Sequence, residues 1–182
     1  QKHTIMTRAA RAKTQQYDES SIKRLKGLEG VRMRPTQYLG QRGDFMLFQA
    51  IKELWDNALD EFLAKRNKHI FVYADNKTQT YIVADRAQGI PVGLVPSDPK
   101  NLKSKKVSTL TLIFTEIHTG GKFDDKAYKT SKGTHGIGAS ATSAVSLSFE
   151  VWTRRDNKWH YQKFAKGEPV SDIAVVRAIP AD

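Results

Sequence analysis

Two side chains one helical turn apart, Glu53 and Asn57, have the chemistry of a magnesium site with a water-activating base. An amide oxygen is a suitable Mg²⁺ ligand, and a carboxylate can orient water and accept its proton. Both residues lie in the stretch 48–62, whose apolar residues recur every three or four positions, the period of an amphipathic helix. Asp60 and Glu61 continue the same polar stripe. Such a stripe is also typical of a solvated helix face, so the helix alone leaves both interpretations open.

A second candidate site is the pair Asp85 and Gly89. Asp85 follows a predicted strand, where a buried carboxylate would accept hydrogen bonds from an exocyclic amine. Gly89 would let a flat ligand approach the backbone. The same pair is also typical of an ordinary turn, because aspartate and glycine are common turn residues.

A third candidate site is the glycine-rich segment from Gly133 to Gly138, which precedes a run of small residues at 139–145 that we predict to be a helix. Exposed backbone N–H groups followed by a helix N-terminus suit a phosphate group. The spacing Gly-x-x-Gly-x-Gly is weak alone, since flexible loops also collect glycine. Neither the P-loop pattern nor the dinucleotide-binding pattern occurs in the sequence.

The elements around these sites run from helices to strands, which predicts an α+β sandwich with helices on one face of a sheet. Short helical elements are predicted at 18–26 and 28–34, followed by a loop at 38–44 into the central helix. An exposed basic loop is predicted at 96–106, and the apolar stretch 109–117 fits either a helix or a strand. Strands are predicted at 69–74, 80–84, 147–153, 158–164 and 173–179.

Composition narrows the function classes. The 182 residues suffice for one domain, and the net charge of +11 favours a polyanionic partner, although excess charge also promotes solubility. The absence of cysteine excludes disulfides, thiolate nucleophiles and cysteine-ligated metals. No apolar run reaches the roughly 20 residues of a membrane helix, and no signal-peptide pattern is present, so we expect a cytoplasmic protein without a membrane partner. We expect residues 1–16 to form a flexible basic arm and residues 17–182 to form one domain.

Taken in order, the three candidate sites resemble the nucleotide motifs of the Bergerat-fold (GHKL) ATPases. The matching stretches are Glu53-Leu-Trp-Asp-Asn57, Asp85-x-x-x-Gly89-Ile-Pro and Gly133-Thr-His-Gly-Ile-Gly138. Two flanking stretches, 26–40 and 120–129, look like the N-terminal segment and the lid of gyrase-like type II topoisomerase B subunits. The resemblance covers about residues 17–180 and implies a two-layer sandwich with a mixed, mostly antiparallel sheet.

The resemblance implies ATP and Mg²⁺ as cofactors and a role for each site residue. Glu53 would be the general base, Asn57 the Mg²⁺ ligand, and Asp85 the partner of the adenine amino group. Tyr128 would contact the adenine side, Lys122 would lie near the phosphates, and Tyr17 would reach the nucleotide of a neighbouring subunit. The remaining nucleotide-binding positions implied are Gly89, Ile90, Pro91, Gly133, His135, Gly136, Ile137 and Gly138.

The sequence departs from the family pattern at three positions that bear on adenine affinity and antibiotic sensitivity. The family usually has Asp-Asn-Gly-Arg-Gly-Ile-Pro, whereas Arg86 replaces the small amide and Gln88 replaces the arginine here. Ala174 stands where a threonine usually supports the adenine-binding aspartate.

The function implied is the ATP-binding and hydrolysing domain of a type II DNA topoisomerase, an ATP-driven dimer gate for DNA strand passage. We expect a piece of a longer protein that lacks the DNA-cleavage residues. Implied partners are double-stranded DNA through the full-length enzyme, a second copy of the chain on ATP binding, and a topoisomerase A subunit or a fused cleavage domain. The alternatives are a MutL-like or chaperone-type ATPase clamp, or a basic nucleic-acid-binding module with a degenerate ATPase site. Gyrase and topoisomerase IV are not distinguished.

Overall fold

A computed structural model describes residues 28–98, 100–117 and 136–177 of the chain. The predicted arm at 1–16 and the predicted helix at 18–26 lie outside these ranges. Several predicted site residues also lie outside them: Tyr17, Lys122, Tyr128, Gly133 and His135.

Three helices begin the described part of the chain: α1 at Glu29–Met33, α2 at Thr36–Leu39 and α3 at Asp44–Leu63. α3 confirms the central amphipathic helix and begins four residues before the predicted stretch, directly after Gly43. The loop predicted at 38–44 is wrong at its start, because Leu39 belongs to α2 and is buried in the core. Pro35 directly precedes α2 and already has helical dihedral angles. Its fixed φ suits the start of a helix, so the four-residue helix α2 can begin directly after it.

The next two strands form a hairpin, β1 at Ile70–Asp75 and β2 at Thr80–Asp85. Its turn is closed by Asp75, whose Oδ1 accepts a hydrogen bond from the backbone N–H of Lys77 at 2.8 Å. The hairpin confirms both predicted strands, and it places Asp85 at the last position of β2, opposite Ile70.

A second hairpin replaces the basic loop predicted at 96–106. β3 at Leu94–Asp98 pairs antiparallel with β4 at Asn101–Ser108. The prediction was wrong because it gave weight to the prolines and lysines of the stretch. Pro96 lacks a backbone N–H, but β3 pairs with β4 alone in its sheet and is therefore an edge strand. An edge strand tolerates proline, because one side of the strand forms no hydrogen bonds to a neighbour.

Two further helices follow, α4 at Thr109–Thr115 and α5 at Gly138–Val145. The stretch 109–117, which fitted either a helix or a strand, thus contains the helix α4. Ser108 caps its start, because the Ser108 side chain accepts a hydrogen bond from the N–H of Leu110. α5 confirms the helix predicted from the run of small residues.

The last sheet contains β5 at Phe149–Arg155, β6 at Lys158–Ala165, β7 at Glu168–Pro169 and β8 at Ala174–Val176. β6 pairs antiparallel with the other three strands. β5 and β6 confirm two predicted strands, and β8 confirms the described part of the third. β7 is a short pairing that lies between the predicted strands at 158–164 and 173–179.

Two clusters of buried side chains form the core. One joins α1, α2, α3 and α5, and its buried members are Leu28, Val31, Leu39, Ala50, Ala141 and Ala144. The other joins α4 to β5 and β6 through Leu110, Phe114, Val151 and Phe164.

The α+β class and the predominance of antiparallel strands are confirmed. Within the described ranges the strands form three sheets, and every pairing is antiparallel. None of the helices in these ranges is both long enough and apolar enough to cross a bilayer.

Candidate functional site

The candidate catalytic residue Glu53 lies directly against the first residue of α5. A Cβ built on Gly138 would overlap the carboxylate of Glu53 and would lie 2.9 Å from its Cβ. A residue with a side chain would therefore fit at position 138 only if the side chain of Glu53 moved away. The structure thus brings together two of the three predicted sites, the carboxylate helix and the end of the glycine-rich segment.

Thr142 holds these two helices in place. Its hydroxyl lies 3.1 Å from the carbonyl oxygen of Ala50 on α3 and 2.9 Å from that of Gly138 on α5. Thr142 is buried, and so are Ala141 and Ala144 on the same helix, which lets α5 approach α3 closely. Sequence reasoning missed Thr142. The sequence feature that could have indicated Thr142 is its hydroxyl within the run of small residues at 139–145, four positions after Gly138.

The environment of Glu53 favours its protonated form. Burial raises the pKa of Glu53 above its ordinary value, the nearby charge of Asp56 raises it further, and the ammonium of Lys52 opposes both effects. A carboxylate with a raised pKa is a stronger base, which suits proton abstraction from water near neutral pH.

Replacement of Glu53 by glutamine is expected to raise the melting temperature at pH 7. Because the pKa of Glu53 is higher in the folded chain than in the unfolded chain, its stabilising contribution is complete below the unfolded pKa and is lost as the pH rises through the folded pKa. The difference between variant and wild type should therefore vanish below about pH 4, which thermal denaturation at several pH values would show.

Glu61 provides the control for this measurement. It lies on the same helix but binds Arg66 with two hydrogen bonds, of 2.8 and 2.9 Å. Glu61→Gln should therefore lower the melting temperature at pH 7 through loss of that ion pair. A Glu53→Gln variant that is also less stable at pH 7 would contradict the assigned environment of Glu53.

Asn57 lies one turn after Glu53 on α3, and its side chain is exposed. The residues of the predicted polar stripe therefore have different environments. Glu53 faces α5, Asn57 is exposed to solvent, and Glu61 pairs with Arg66. In the part of the chain that the structure describes, no three carboxylate or histidine side chains converge as a metal site. A single amide ligand fits Mg²⁺ when phosphate and water supply the other oxygens.

Asp85 lies at the end of β2, as predicted, but its side chain is exposed rather than buried. Its Oδ1 accepts a hydrogen bond from the N–H of Ala87 at 2.7 Å, the pattern of a turn-forming aspartate. The expectation of burial was wrong because β2 has only β1 as a strand neighbour in the described ranges. Because the Asp85 side chain is exposed, its second carboxylate oxygen, Oδ2, is on the surface of the described structure.

Gly89 fixes the loop after β2 on the end of β5. Its φ is +77°, and a Cβ there would overlap the carbonyl oxygen of Arg154 and lie 2.9 Å from Oγ1 of Thr153. That same Oγ1 accepts a hydrogen bond from the N–H of Ile90 at 2.7 Å, and Nη1 of Arg155 donates to the carbonyl oxygen of Gln88 at 3.1 Å. Sequence reasoning assigned Gly89 to ligand approach and missed Thr153 and Arg155.

An open cavity of about 390 Å³ borders this loop and the β5–β6 turn. Its lining residues are Ala87, Gln88, Arg154, Arg155, Asp156 and Asn157. Of the other predicted positions near the loop, Ile90 packs against the second core cluster and Pro91 is exposed. Ala174 is exposed on β8, opposite Tyr161 on β6.

The described end of the glycine-rich segment leads straight into α5. Gly136 is exposed with φ +62°, and Ile137 precedes the first helical residue. The carbonyl oxygen of Ile137 accepts hydrogen bonds from the N–H of Ala141 at 2.8 Å and from the hydroxyl of Ser140 at 3.0 Å. The backbone N–H groups of the first turn of α5 have no earlier helical turn to donate to, which is the condition for binding an anion.

Comparison with known proteins shows which proteins the chain is similar to. The family model described as histidine kinase-, DNA gyrase B- and HSP90-like ATPase matches residues 44–163. The DNA gyrase B protein of Mycoplasma pneumoniae is 41% identical over 162 residues, which cover 88% of this chain and 24% of the relative. The DNA gyrase B protein of Thermus thermophilus is 41% identical over 164 residues, which cover 90% of this chain and 25% of the relative.

A solved structure is also similar. The crystal structure of the 43K ATPase domain of Thermus thermophilus gyrase B, in complex with an aminocoumarin, superposes with a TM-score of 0.65 and 32% identity. The match covers 84% of this chain and 35% of that chain. The chain thus spans about a quarter of the length of the curated relatives named above.

Proposed function

The chain belongs to the histidine kinase-, DNA gyrase B- and HSP90-like ATPase family, and from this we propose that it binds and hydrolyses ATP as the ATPase domain of a gyrase-like type II DNA topoisomerase. One observation carries the proposal. Glu53 lies against Gly138, so a base with a raised pKa stands beside the start of a helix that suits phosphate.

In this proposal Glu53 accepts the proton of the attacking water. The packing of α3 on α5 sets the position of its carboxylate, which lies against the backbone of Gly138. Asn57 would hold Mg²⁺ through its amide oxygen, and the bound ion would supply charge neutralisation on the phosphates. Backbone N–H groups at Gly136, Ile137 and Gly138 would bind phosphate oxygens.

Asp85 would recognise adenine in the proposed complex. The hydrogen bond to Ala87 orients one carboxylate oxygen toward the turn, and the exposed side chain leaves the other accessible to an exocyclic amine. Gly89, Ile90 and Pro91 would shape the adjoining wall, because the contacts to Thr153 and Arg154 hold this loop against β5.

The larger assembly is proposed from the relatives' names. We propose that the chain is part of a cytoplasmic enzyme that acts on double-stranded DNA and works with a topoisomerase A subunit or a fused cleavage domain. ATP binding would join two copies, with Tyr17 at the neighbour's nucleotide and with Lys122, Tyr128, Gly133 and His135 completing each site.

We expect a non-hydrolysable ATP analogue with Mg²⁺ to raise the melting temperature of the chain, and chelation of Mg²⁺ to reduce that shift. Bound nucleotide would cover the exposed Asp85 carboxylate. The matching GTP analogue, whose guanine presents a carbonyl oxygen there, should therefore bind about 5- to 150-fold more weakly by calorimetry. Asp85→Asn should narrow this preference, since an amide can donate to that oxygen.

Asp75→Asn is the matched control, because Asp75 forms the same kind of turn at the other end of the hairpin. It should leave both affinities unchanged. Equal affinity of the wild-type chain for the ATP and GTP analogues would contradict the proposed recognition of adenine by Asp85. A folded chain that binds neither would favour the basic nucleic-acid-binding module without ATPase activity.

A further inference from the structure

The hairpin formed by β3 and β4 is the most uniformly basic exposed element that the structure describes. Residues 94–108 contain a single acidic residue, Asp98. They also contain four lysines, all of them exposed: Lys100, Lys103, Lys105 and Lys106. None of these positions belongs to the nucleotide site.

No carboxylate in the described part of the chain forms an ion pair with any of these lysines. In the described ranges, ion pairs join Arg32 to Glu168, Lys52 to Asp56, Arg66 to Glu61 and Lys163 to Glu150, and none involves the hairpin. The carboxylate of Asp98 instead accepts a hydrogen bond from the backbone N–H of Lys100. The arm at 1–16 is itself basic and contains no acidic residue, so it is unsuited to cover the hairpin.

The hairpin backbone holds the lysines on a preorganised ribbon. At its base, the N–H and hydroxyl of Thr109 donate to the carbonyl oxygen of Gly93 at 2.9 and 2.8 Å. Near its tip, the N–H of Asp98 donates to Oγ of Ser104 at 3.0 Å. Lys103 and Lys105 are two residues apart on β4, so they project from the same face about 6.6 Å apart along the strand. An ordered ribbon loses less conformational entropy on binding than a loop would.

The residue types select the ligand. Residues 94–108 contain no aromatic side chain, so they lack the platforms on which single-stranded bases stack. They also contain no arginine and no glutamine, and their one asparagine is Asn101. Arginine, asparagine and glutamine are the side chains that usually form bidentate hydrogen bonds to base edges. Exposed lysines without such groups contact phosphates and carry little sequence information.

We propose that the β3–β4 hairpin is a binding surface for the phosphate backbone of duplex DNA, independent of base sequence. The proposed function makes DNA a substrate of the larger enzyme, and the hairpin adds a contact within this chain. The contact does not require nucleotide, so its test can fail separately from the ATPase proposal.

The test measures binding of the 182-residue chain to a labelled random-sequence duplex by fluorescence anisotropy, without nucleotide and at several salt concentrations. The test variant replaces Lys100, Lys103, Lys105 and Lys106 with alanine. The slope of log affinity against log salt should fall by about 0.9 for each lost phosphate contact. If all four lysines contribute, the wild type should lose about 100-fold more affinity than the variant between 50 and 200 mM salt.

A charge-matched control replaces four exposed cations on other elements with alanine, namely Arg42, Lys68, Lys77 and Lys158. It should retain most of the wild-type salt slope, and a variant with arginine at the four hairpin positions should bind like wild type. Thermal denaturation would check that each variant folds. Equal losses in the test and control variants would overturn the proposal, because they would show dependence on total charge alone. Unchanged duplex affinity together with lost binding to polyglutamate would also overturn it, in favour of an acidic protein partner.

Discussion

Replacement of Glu53 by alanine is expected to reduce ATP hydrolysis by about 10²- to 10⁴-fold while ATP binding stays nearly unchanged. The variant removes the carboxylate that lies beside the start of α5 and leaves the backbone contacts of that helix in place. Single-turnover hydrolysis and equilibrium binding of a non-hydrolysable analogue would separate the two effects. Wild-type turnover in the variant would return Glu53 to the interpretation of a solvated helix face.

Asp56→Asn is the neighbouring control. The side chain of Asp56 pairs with Lys52 on the surface of α3, so we expect turnover at neutral pH to change little. The charge of Asp56 nevertheless raises the pKa of Glu53, and its removal should lower that pKa. The acidic limb of the pH–rate profile, where the base becomes protonated, should therefore move to lower pH in this variant. A shift to higher pH would contradict the role of Glu53 as the titrating base.

Replacement of Gly89 by alanine is expected to destabilise the fold by about 3 kcal/mol or more. Two costs add at this position. The φ of +77° is unfavourable for any residue with a side chain, and the new Cβ would overlap the backbone carbonyl of Arg154, which is part of β5 and cannot rotate away. For a chain of this length, chemical denaturation should show the loss directly, and the melting temperature should fall by about 6–12 °C.

Gly43→Ala separates these two costs. Gly43 also has a positive φ, +86°, but a Cβ there would meet nothing within 4 Å. Its replacement should therefore cost only the backbone strain, about 1–3 kcal/mol. Equal losses at the two glycines would show that the loop after β2 can move away from β5. A smaller loss at Gly89 than at Gly43 would refute the close packing altogether.

The sequence determined the elements whose signals are local. The period of the apolar residues specified α3, and the run of small residues specified α5, because helix formation depends on neighbours three and four positions apart. The order and spacing of the three motifs predicted the family, and the family model that matches residues 44–163 confirms that prediction. The β1–β2 hairpin was also predictable, because its turn is closed by the adjacent Asp75.

Tertiary structure decided how the motifs are supported. The sequence assigned Glu53 and Gly138 to one ligand, but only the crossing of α3 and α5 shows that they touch and that the pKa of Glu53 is raised by burial. Gly89 was assigned to ligand approach, whereas its nearest neighbours are Thr153 and Arg154, more than 60 positions later in the chain.

The same limit explains two of the errors made from the sequence. The β3–β4 hairpin was taken for a loop because proline and lysine outweighed a strand pairing that depends on the partner strand. Asp85 was expected to be buried, but its exposure depends on which elements cover the end of β2. Local periodicity and motif order are encoded by neighbouring residues, whereas burial, overlap and pairing depend on residues distant in sequence, so only the folded chain decides them.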